Sequence, residues 1–325
     1  MKIFDKKSIA IITLGELLFF SLFSFIPYEW VPHSILLALE ITKSFTPYLV
    51  IFNLLAIVGL FWGKFPHRKL LSVIVLIIVY CQCRSGITRN RTYDSSSTTK
   101  YTIFYSNVLF SNTNYNDLKE RIKSYNPDFV ALLEMDKNWR KNFDLPDYPY
   151  KSGYDKDFLG MVFYSKYPIK NHRLVSLNYA RPLLENEIEL PDGTIHINVL
   201  HLPPPFSAEH IELRNKALKV LGKFLSEQND NVITLGDYNV TQFSSAFKEL
   251  IKDSGVSQCS TDLYPPILNL FYTTWCHSSL PFACTGIDHT LVKGKLILSS
   301  IEKVQNFGSD HIPLLITFTP KPVKG

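Results

Sequence analysis

Six short polar segments carry residue types suited to one kind of chemistry: Ser106-Asn107, Leu133-Glu134, Leu200-His201, Gly236-Asp237-Tyr238-Asn239, Ile287-Asp288-His289 and Ser309-Asp310-His311. Glu134, Asp237, Asp288 and Asp310, with the amides of Asn107 and Asn239, offer hard oxygen donors, which suit Mg²⁺ or Mn²⁺ rather than zinc. A divalent ion bridged to a phosphate oxygen neutralises charge as it builds, and an imidazole held by a carboxylate can take a proton from water. Lewis acid, base and leaving-group stabilisation together are what phosphate ester hydrolysis requires. Taken singly, each segment has an ordinary reading: a strand-end carboxylate is usually a turn residue, and His201 before three prolines could be a core histidine. Their joint appearance in this order gives them weight.

Each segment borders an apolar run, so the elements that must position them can be read from periodicity. Strands are expected over Tyr101 to Asn107, Phe129 to Glu134, Gly160 to Ser165, Asn231 to Leu235 (breaking at Gly236), Ile287 to Val292, Ile297 to Gln305 and Ile312 to Phe318. Leu184 to Leu190 alternates strictly and turns through Pro191-Asp192-Gly193 into Thr194 to His201, a hairpin. Helices are expected near Asn116 to Ser124, after a Ser207 cap with Ile211, Leu218, Leu221 and Leu225 inward, and over Ser244 to Ser254. Hairpins mixed with helical connections argue an α/β protein with helices packed over a sheet or pair of sheets. Six polar strand ends could then converge on one rim.

These residues resemble the endonuclease/exonuclease/phosphatase superfamily with the deoxyribonuclease I-like fold, over about residues 101 to 320. The resemblance is carried by Gly236-Asp237-Tyr238-Asn239 and Ser309-Asp310-His311-Ile312-Pro313, with Asn107, Pro127-Asp128-Phe129, Glu134, His201, Arg214 and Ile287-Asp288-His289 in the expected order. It implies a four-layer α-β-β-α sandwich of two mixed sheets with helices outside. It also implies that Glu134 binds the divalent metal with Asn107 and Asp310 close by. His311, oriented by Asp288, would be the base for the attacking water or would hold the phosphate, and Asp237 would position the nucleophile. Asn239 would hydrogen-bond the scissile phosphate, His201 would stabilise the transition state or protonate the leaving oxygen, and Arg214 would help bind substrate. For the acidic partner of His201, Asp155 and Asp157 are the candidates.

The first 84 residues have a different composition. Apolar stretches run from Ile9 to Ile26 with Glu16 inside, from Ser44 to Gly63 and from Leu70 to Cys83. They predict an all-α transmembrane anchor of three helices, or two, followed by a flexible tether over 85–100 and a catalytic domain over 101–325. A cleaved signal peptide is the rival reading of the start, but Pro27-Tyr28-Glu29-Trp30 offers no small-x-small cleavage site. Lys2, Lys6, Lys7, Lys64, Arg68 and Lys69 favour the cytoplasmic side. Three spans would therefore deliver the domain to the periplasmic face of a bacterial inner membrane, the resemblance being to the membrane-anchored bacterial branch; two spans would leave it in the cytoplasm. No cysteine pattern fits zinc, and Cys276 and Cys284 could pair if the domain is exported.

The chain carries 34 Lys and Arg against 29 Asp and Glu, but residues 101 to 325 hold 23 basic and 24 acidic residues. The excess belongs to the anchor and tether, which weakens the case for gripping duplex DNA through many phosphates. A nucleic acid and a phospholipid headgroup both remain as phosphate ester substrates, with the lipid bilayer as a partner. The apolar, aromatic stretch Tyr264 to Tyr272 is either core or a surface that dips into a membrane or stacks on bases. The expectation is thus a membrane-anchored, Mg²⁺-dependent phosphodiesterase or phosphatase. A catalytically idle binding module on an anchor is the alternative, and intact Glu134, Asp237 and His311 argue against it. A small transporter is disfavoured because the apolar segments hold few polar residues to line a path.

Overall fold

The computed structural model describes residues 6–86, 99–228 and 231–320. Two six-stranded sheets face each other. The first has the order β13-β14-β1-β2-β4-β3, from Leu296–Lys303, Leu314–Pro320, Tyr101–Asn107, Phe129–Leu133, Met161–Ser165 and Tyr150–Tyr154. The second has the order β5-β6-β7-β8-β12-β9, from Ile169–Val175, Leu183–Leu190, Gly193–His201, Val232–Asp237, Asp288–Lys293 and Gln258–Cys259. Both are mixed: β1 runs parallel to β2 and β7 parallel to β8, while the other pairs are antiparallel.

Alternation of side chains across each strand divides the apolar residues between layers. Tyr101, Ile103, Phe129, Ala131, Ile197, Val199, Ile233 and Leu235 point between the sheets. On the outer face of the first sheet, Phe104, Val130 and Leu132 meet Leu118 and Ile122 of α5 (Tyr115–Tyr125) and Trp139 of α6 (Lys137–Asn142). On the outer face of the second, Leu200, Val232 and Leu291 meet Leu218 and Leu221 of α7 (Ala208–Glu227) and Phe247 and Leu250 of α8 (Ser245–Asp253). The result is the expected α-β-β-α order of layers. Ser207 caps α7 by accepting from the His210 amide. One boundary differs: β8 does not break at Gly236 but continues to Asp237, because Gly236 takes φ +153 and lets the strand pass close to the Leu200 carbonyl.

The N-terminal region forms α1 (Lys6–Phe23), α2 (Leu36–Ser44), α3 (Thr46–Trp62) and α4 (Arg68–Ser85). α1, α3 and α4 pack together, and Asn53 of α3 donates to Ser21 Oγ of α1 (2.8 Å) and Gln82 Oε1 of α4 (3.2 Å). These residues lie near the end of α1, in the middle of α3 and near the end of α4, so those two ends are level with the middle of α3, whose start reaches the catalytic domain through Tyr48, bonded to the backbone of Cys284. Among the described residues, no single helix is long and apolar enough to cross a membrane; His33–Ser44 and Thr46–Trp62 are so only as a pair, bent by 69°. The three expected spans therefore have helices beneath them but are not shown as spans. The shortfall differs between helices: the 17 residues of α3 rise about 25 Å against a hydrocarbon core of about 30 Å, and the 18 residues of α4 include Arg68, Lys69 and Arg84. Most of the tether, residues 87–98, lies outside the described residues, and Ser85 belongs to α4.

Candidate active site

The two parallel strand pairs end at the same edge of the sandwich. In the first sheet Asn107 closes β1 opposite Leu133, and Glu134 follows β2 directly. In the second, Asp237 lies between His201 of β7 and Asp288 of β12 at one level of the ladder. His311 stands just before β14 and forms a bridge with Trp275. Register thus brings carboxylates, imidazoles and the Asn107 amide from six strands to one rim, which is where ligands of mixed α/β sheets commonly bind.

Glu134 has φ +60 and Asn239 φ +50, uncommon for residues other than glycine and worth reading as imposed by their surroundings. Glu134 Oε1 accepts from Asn107 Nδ2 (3.0 Å) and Oε2 from the Phe110 amide (3.1 Å). Asn107 Nδ2 also lies 3.4 Å from both Asp237 Oδ2 and His311 Nε2. Asn239 donates its backbone N–H to Asp237 Oδ1 (2.9 Å) and its side-chain amide to Asp237 Oδ2 (3.1 Å) and the Leu202 carbonyl (2.9 Å). His311 Nδ1 bonds Asp288 Oδ2 at 2.9 Å, and the other Asp288 oxygen accepts from Tyr105 Oη. That leaves His311 Nε2 aimed at Asp237 Oδ2, 3.7 Å away. His201 Nε2 is 3.4 Å from the same oxygen and 3.9 Å from Glu134 Oε1.

Burial sets the protonation of these groups. Removal from water pushes Asp237 up to about 7, helped by repulsion from Asp288 and Glu134 and opposed by the charge on His311. Burial alone would lower His311, but the charge and hydrogen bond of Asp288, with Asp237 and Asp310 nearby, carry it up to about 10. His201 is pushed well below the usual histidine range by burial, then by Arg181 and His311, so it is neutral at pH 7.

A divalent ion fits this donor set. Asp237, Glu134 and Asp288 crowd negative charge where water cannot screen it, and Asp310 Oδ1 is buried with no hydrogen-bond partner while Oδ2 accepts from the Trp275 indole (2.8 Å). Asp237, Asp288 and His311 form the tightest group, their ligand atoms within 4.8 Å. Both Asp288 oxygens already accept hydrogen bonds, however, so that trio is better described as a hydrogen-bonded chain than as a cage for an ion.

Two expectations need correction. Arg214 is 0 % exposed and does not face the rim: its Nη1 pairs with Glu40 of α2 (2.9 Å) and donates to the Asn239 carbonyl (2.8 Å). Asp155 is not the partner of His201, since it pairs with Arg140, and His201 Nδ1 has no partner among the described residues. Asp157 is not among the carboxylates within ion-pair distance of His201, which are Asp237 and Glu134. The structure also adds Arg181, 7 % exposed, whose Nε and Nη1 find no hydrogen-bond partner among the described residues and whose charge acts on Asp237, Glu134 and His201. In sequence it is merely the residue before Pro182. Tyr105, Trp275 and Thr274 were equally silent; Thr274 Oγ1 accepts from the Asp288 amide at 3.0 Å. Of the stretch Tyr264 to Tyr272, Leu270 and Tyr272 are buried whereas Leu268 and Phe271 are exposed. Cys276 and Cys284 form a disulfide across β10 (Trp275–His277) and β11 (Leu280–Thr285), the hairpin that carries Trp275.

A two-sheet α/β sandwich with carboxylates, amides and imidazoles gathered where its parallel strands end is the frame of a phosphoester-cleaving hydrolase. The chain belongs to the endonuclease/exonuclease/phosphatase family, whose model matches residues 105–311. Members are hydrolases of phosphoester bonds and commonly use a divalent metal. Among solved structures, TDP2 of D. rerio complexed with a single-strand DNA product is 15% identical with a TM-score of 0.58, covering 68% of this chain and 99% of that one. An endonuclease/exonuclease/phosphatase of Bacteroides vulgatus is 16% identical with a TM-score of 0.55, covering 69% and 100%. TDP2 of C. elegans is 17% identical with a TM-score of 0.55, covering 69% and 76%. At such identities the likeness is one of fold. No curated protein matches the chain.

Proposed function

We propose that the protein is a membrane-associated, divalent-metal-dependent phosphodiesterase or phosphatase, with residues 101–325 as its catalytic domain. The observation that carries this is the convergence of Asn107, Glu134, His201, Asp237, Asn239, Asp288 and His311 on one rim with Arg181 beside them, two of whose nitrogens have no hydrogen-bond partner among the described residues. A divalent ion held by Glu134 and Asn107, with Asp310 nearby, would supply Lewis-acid stabilisation of the charge that builds on the phosphoryl oxygens.

The protein groups divide the remaining work. Asp237, held near neutrality by burial, orients the attacking water and takes its proton. His311, kept charged by Asp288, holds a phosphate oxygen through Nε2–H, a reading its raised pKa supports over that of a base. Arg181 faces the same anion, and Asn239 fixes Asp237 through two hydrogen bonds. His201, neutral, serves as a hydrogen-bond donor and not as a proton source.

Association with a bilayer is supported by the way the N-terminal bundle is built. Ser21, Asn53, Ser72 and Gln82 point inward, while Ile12, Phe19, Leu55, Val58, Trp62, Leu70, Ile77 and Tyr80 point out. Such an inside-out distribution suits lipid and not water. Glu16 is the exposed exception on α1. Lys64, Arg68 and Lys69 lie at the end of the bundle away from the catalytic domain, which favours a domain on the periplasmic side, and the Cys276–Cys284 disulfide suits an oxidising compartment. The near-neutral catalytic domain favours a phospholipid headgroup over duplex DNA as substrate.

The test is metal-dependent hydrolysis by the full-length protein in detergent micelles, with plasmid DNA, RNA, sphingomyelin, phosphatidylinositol phosphates and a generic nitrophenyl diester as substrates. Hydrolysis of at least one that is abolished by chelation, by Glu134→Ala and by His311→Ala is expected. Activity untouched by either substitution would sink the assignment of the site.

A further inference from the structure

The N-terminal helices lie outside the region matched by the family, yet one of them reaches the back of the candidate active site. Glu40, in the middle of α2, is 1 % exposed. Its Oε1 accepts from Arg214 Nη1, and the same nitrogen donates to the carbonyl of Asn239. Its Oε2 accepts from Tyr28 Oη, and Tyr28 Oη lies 3.0 Å from Ser244 Oγ. A phenol has one proton; since Glu40 receives it, Ser244 is the donor to Tyr28. One carboxylate is therefore tied to both ends of the segment 239–244, which leads from the site to α8.

Two details show that these ties hold the segment against its local preferences. Asn239 has φ +50, and its side chain is turned back on Asp237 and Leu202. Fixing its carbonyl fixes the peptide plane that sets where that amide points. Ser244 is the residue before α8, the place where a hydroxyl normally caps a helix, but it makes no side-chain cap and bonds Tyr28 instead. The rest of the segment also rests on the N-terminal bundle and its surroundings: Phe243 packs with Val50 of α3, and Gln242 donates to Asn269.

We propose that Glu40 is a positioning residue for the active site, acting through Arg214 on the Asn239 carbonyl, so that the N-terminal helical segment is part of the catalytic apparatus and not only its anchor. This rests on the reading of Asp237 and Asn239 as site residues. A buried guanidinium that loses its one carboxylate among the described residues must move or draw in water, and either displaces Asn239 and with it the Asp237 carboxylate. The expected consequence falls on turnover and not on substrate binding.

The experiment measures kcat and KM for a generic nitrophenyl diester, with saturating Mg²⁺, on the full-length protein in detergent. The variants are Glu40→Gln, Arg214→Gln, the double variant, and Leu225→Ala in the α7 core as a control for lost stability. Melting temperatures are recorded for all, and assays are run well below the lowest. Glu40→Gln is expected to lower kcat by about tenfold or more with KM nearly unchanged, as misplacement of a reacting group does. The double variant should be no worse than Arg214→Gln alone, because the effect travels through one residue. Leu225→Ala, destabilised but distant from the loop, should keep its kcat. Asp237→Asn separates the two levels of the argument: if it too is fully active, the reading of the site fails. If it is dead while Glu40→Gln melts lower but turns over normally, or loses no more than Leu225→Ala, Glu40 is structural only and the inference is overturned. Should Glu40→Gln not fold, Tyr28→Phe, which removes the hydrogen bond that holds Glu40 Oε2 and so loosens the carboxylate on Arg214, is expected to lower kcat by a smaller factor; an unchanged kcat there overturns the proposal.

Discussion

Arg181 is the residue whose burial most demands a partner. Its guanidinium is nearly closed off from water, two of its nitrogens bond nothing among the described residues, and burial lowers its pKa against the pull of Tyr179, Asp237 and Glu134. An anionic oxygen of the substrate would satisfy it, so Arg181→Met is expected to lower kcat/KM by about a hundredfold while Arg181→Lys, which keeps the charge but not the fork, recovers part of it. Steady-state kinetics on a soluble diester decide this; equal activity in Met and Lys variants would remove Arg181 from the site. His289 gives a pH prediction with a defined sign. It is buried against Phe247 and Tyr238, donates from Nε2 to the Val240 carbonyl, and burial lowers it from 6.5 to about 4. Above pH 6.5 it is neutral folded or unfolded and costs nothing; as pH falls from there to 4, only the unfolded chain takes the proton and about 3 kcal/mol of stability is lost. His289→Gln keeps a donor without titrating, so its stability should fall less steeply than the parent's between pH 7 and 4 in denaturant melts. The residues that gather on the rim were legible because short polar runs at the ends of apolar strands announce themselves. Arg181 and Arg214 were not: one basic residue beside a proline and another on an amphipathic helix look alike in sequence, and only burial tells that one lacks a partner and the other has Glu40.

Gly236 shows how an element rather than a residue can make a site. It sits one place before Asp237 in β8, pairs with Leu200 in the parallel neighbour, and a Cβ built on it would lie 2.0 Å from the Leu200 carbonyl oxygen. With φ +153 it also holds a backbone conformation that L side chains rarely adopt. Any side chain there must push β7 from β8 and break the register that sets His201 level with Asp237. Gly236→Ala is therefore expected either to prevent folding or to leave a folded protein with activity reduced by about a hundredfold or more. Circular dichroism distinguishes the two outcomes, and a folded, fully active variant would show that the register matters less than argued. Sequence periodicity located β1, β2, β4, the β6–β7 hairpin, α5, α7 and α8 to within a residue or two, since each has a clear apolar face. It missed β3, β5 and the β10–β11 hairpin, where exposed polar residues such as Asn171 and His172 mask the alternation and pairing is decided by distant neighbours. It also took Gly236 for a strand breaker when the glycine is what lets two strands approach.

At the scale of the molecule, two parts with opposite surface rules are joined. The sandwich buries its apolar residues between and outside its sheets, whereas the bundle of α1, α3 and α4 buries polar side chains and presents Phe19, Leu55, Trp62 and Ile77 outward. Exposed area of that kind, left in water, drives association; covered by acyl chains it costs nothing. Among the described residues no single helix is long and apolar enough for a span, so on the reading proposed above insertion would fall to the bundle as a unit. The alternative source of membrane affinity is electrostatic, because residues 1–84 carry eight basic against four acidic side chains. Salt separates the two. A charge-held protein leaves the membrane in about 1 M salt, where the screening length shrinks to about 3 Å, and an apolar bundle does not. The chain is expected to stay with the membrane fraction through both high salt and alkaline carbonate and to come off only with detergent. Release by salt would mean adsorption through the basic residues, and release by carbonate alone would mean that the bundle rests on the bilayer surface and does not enter it.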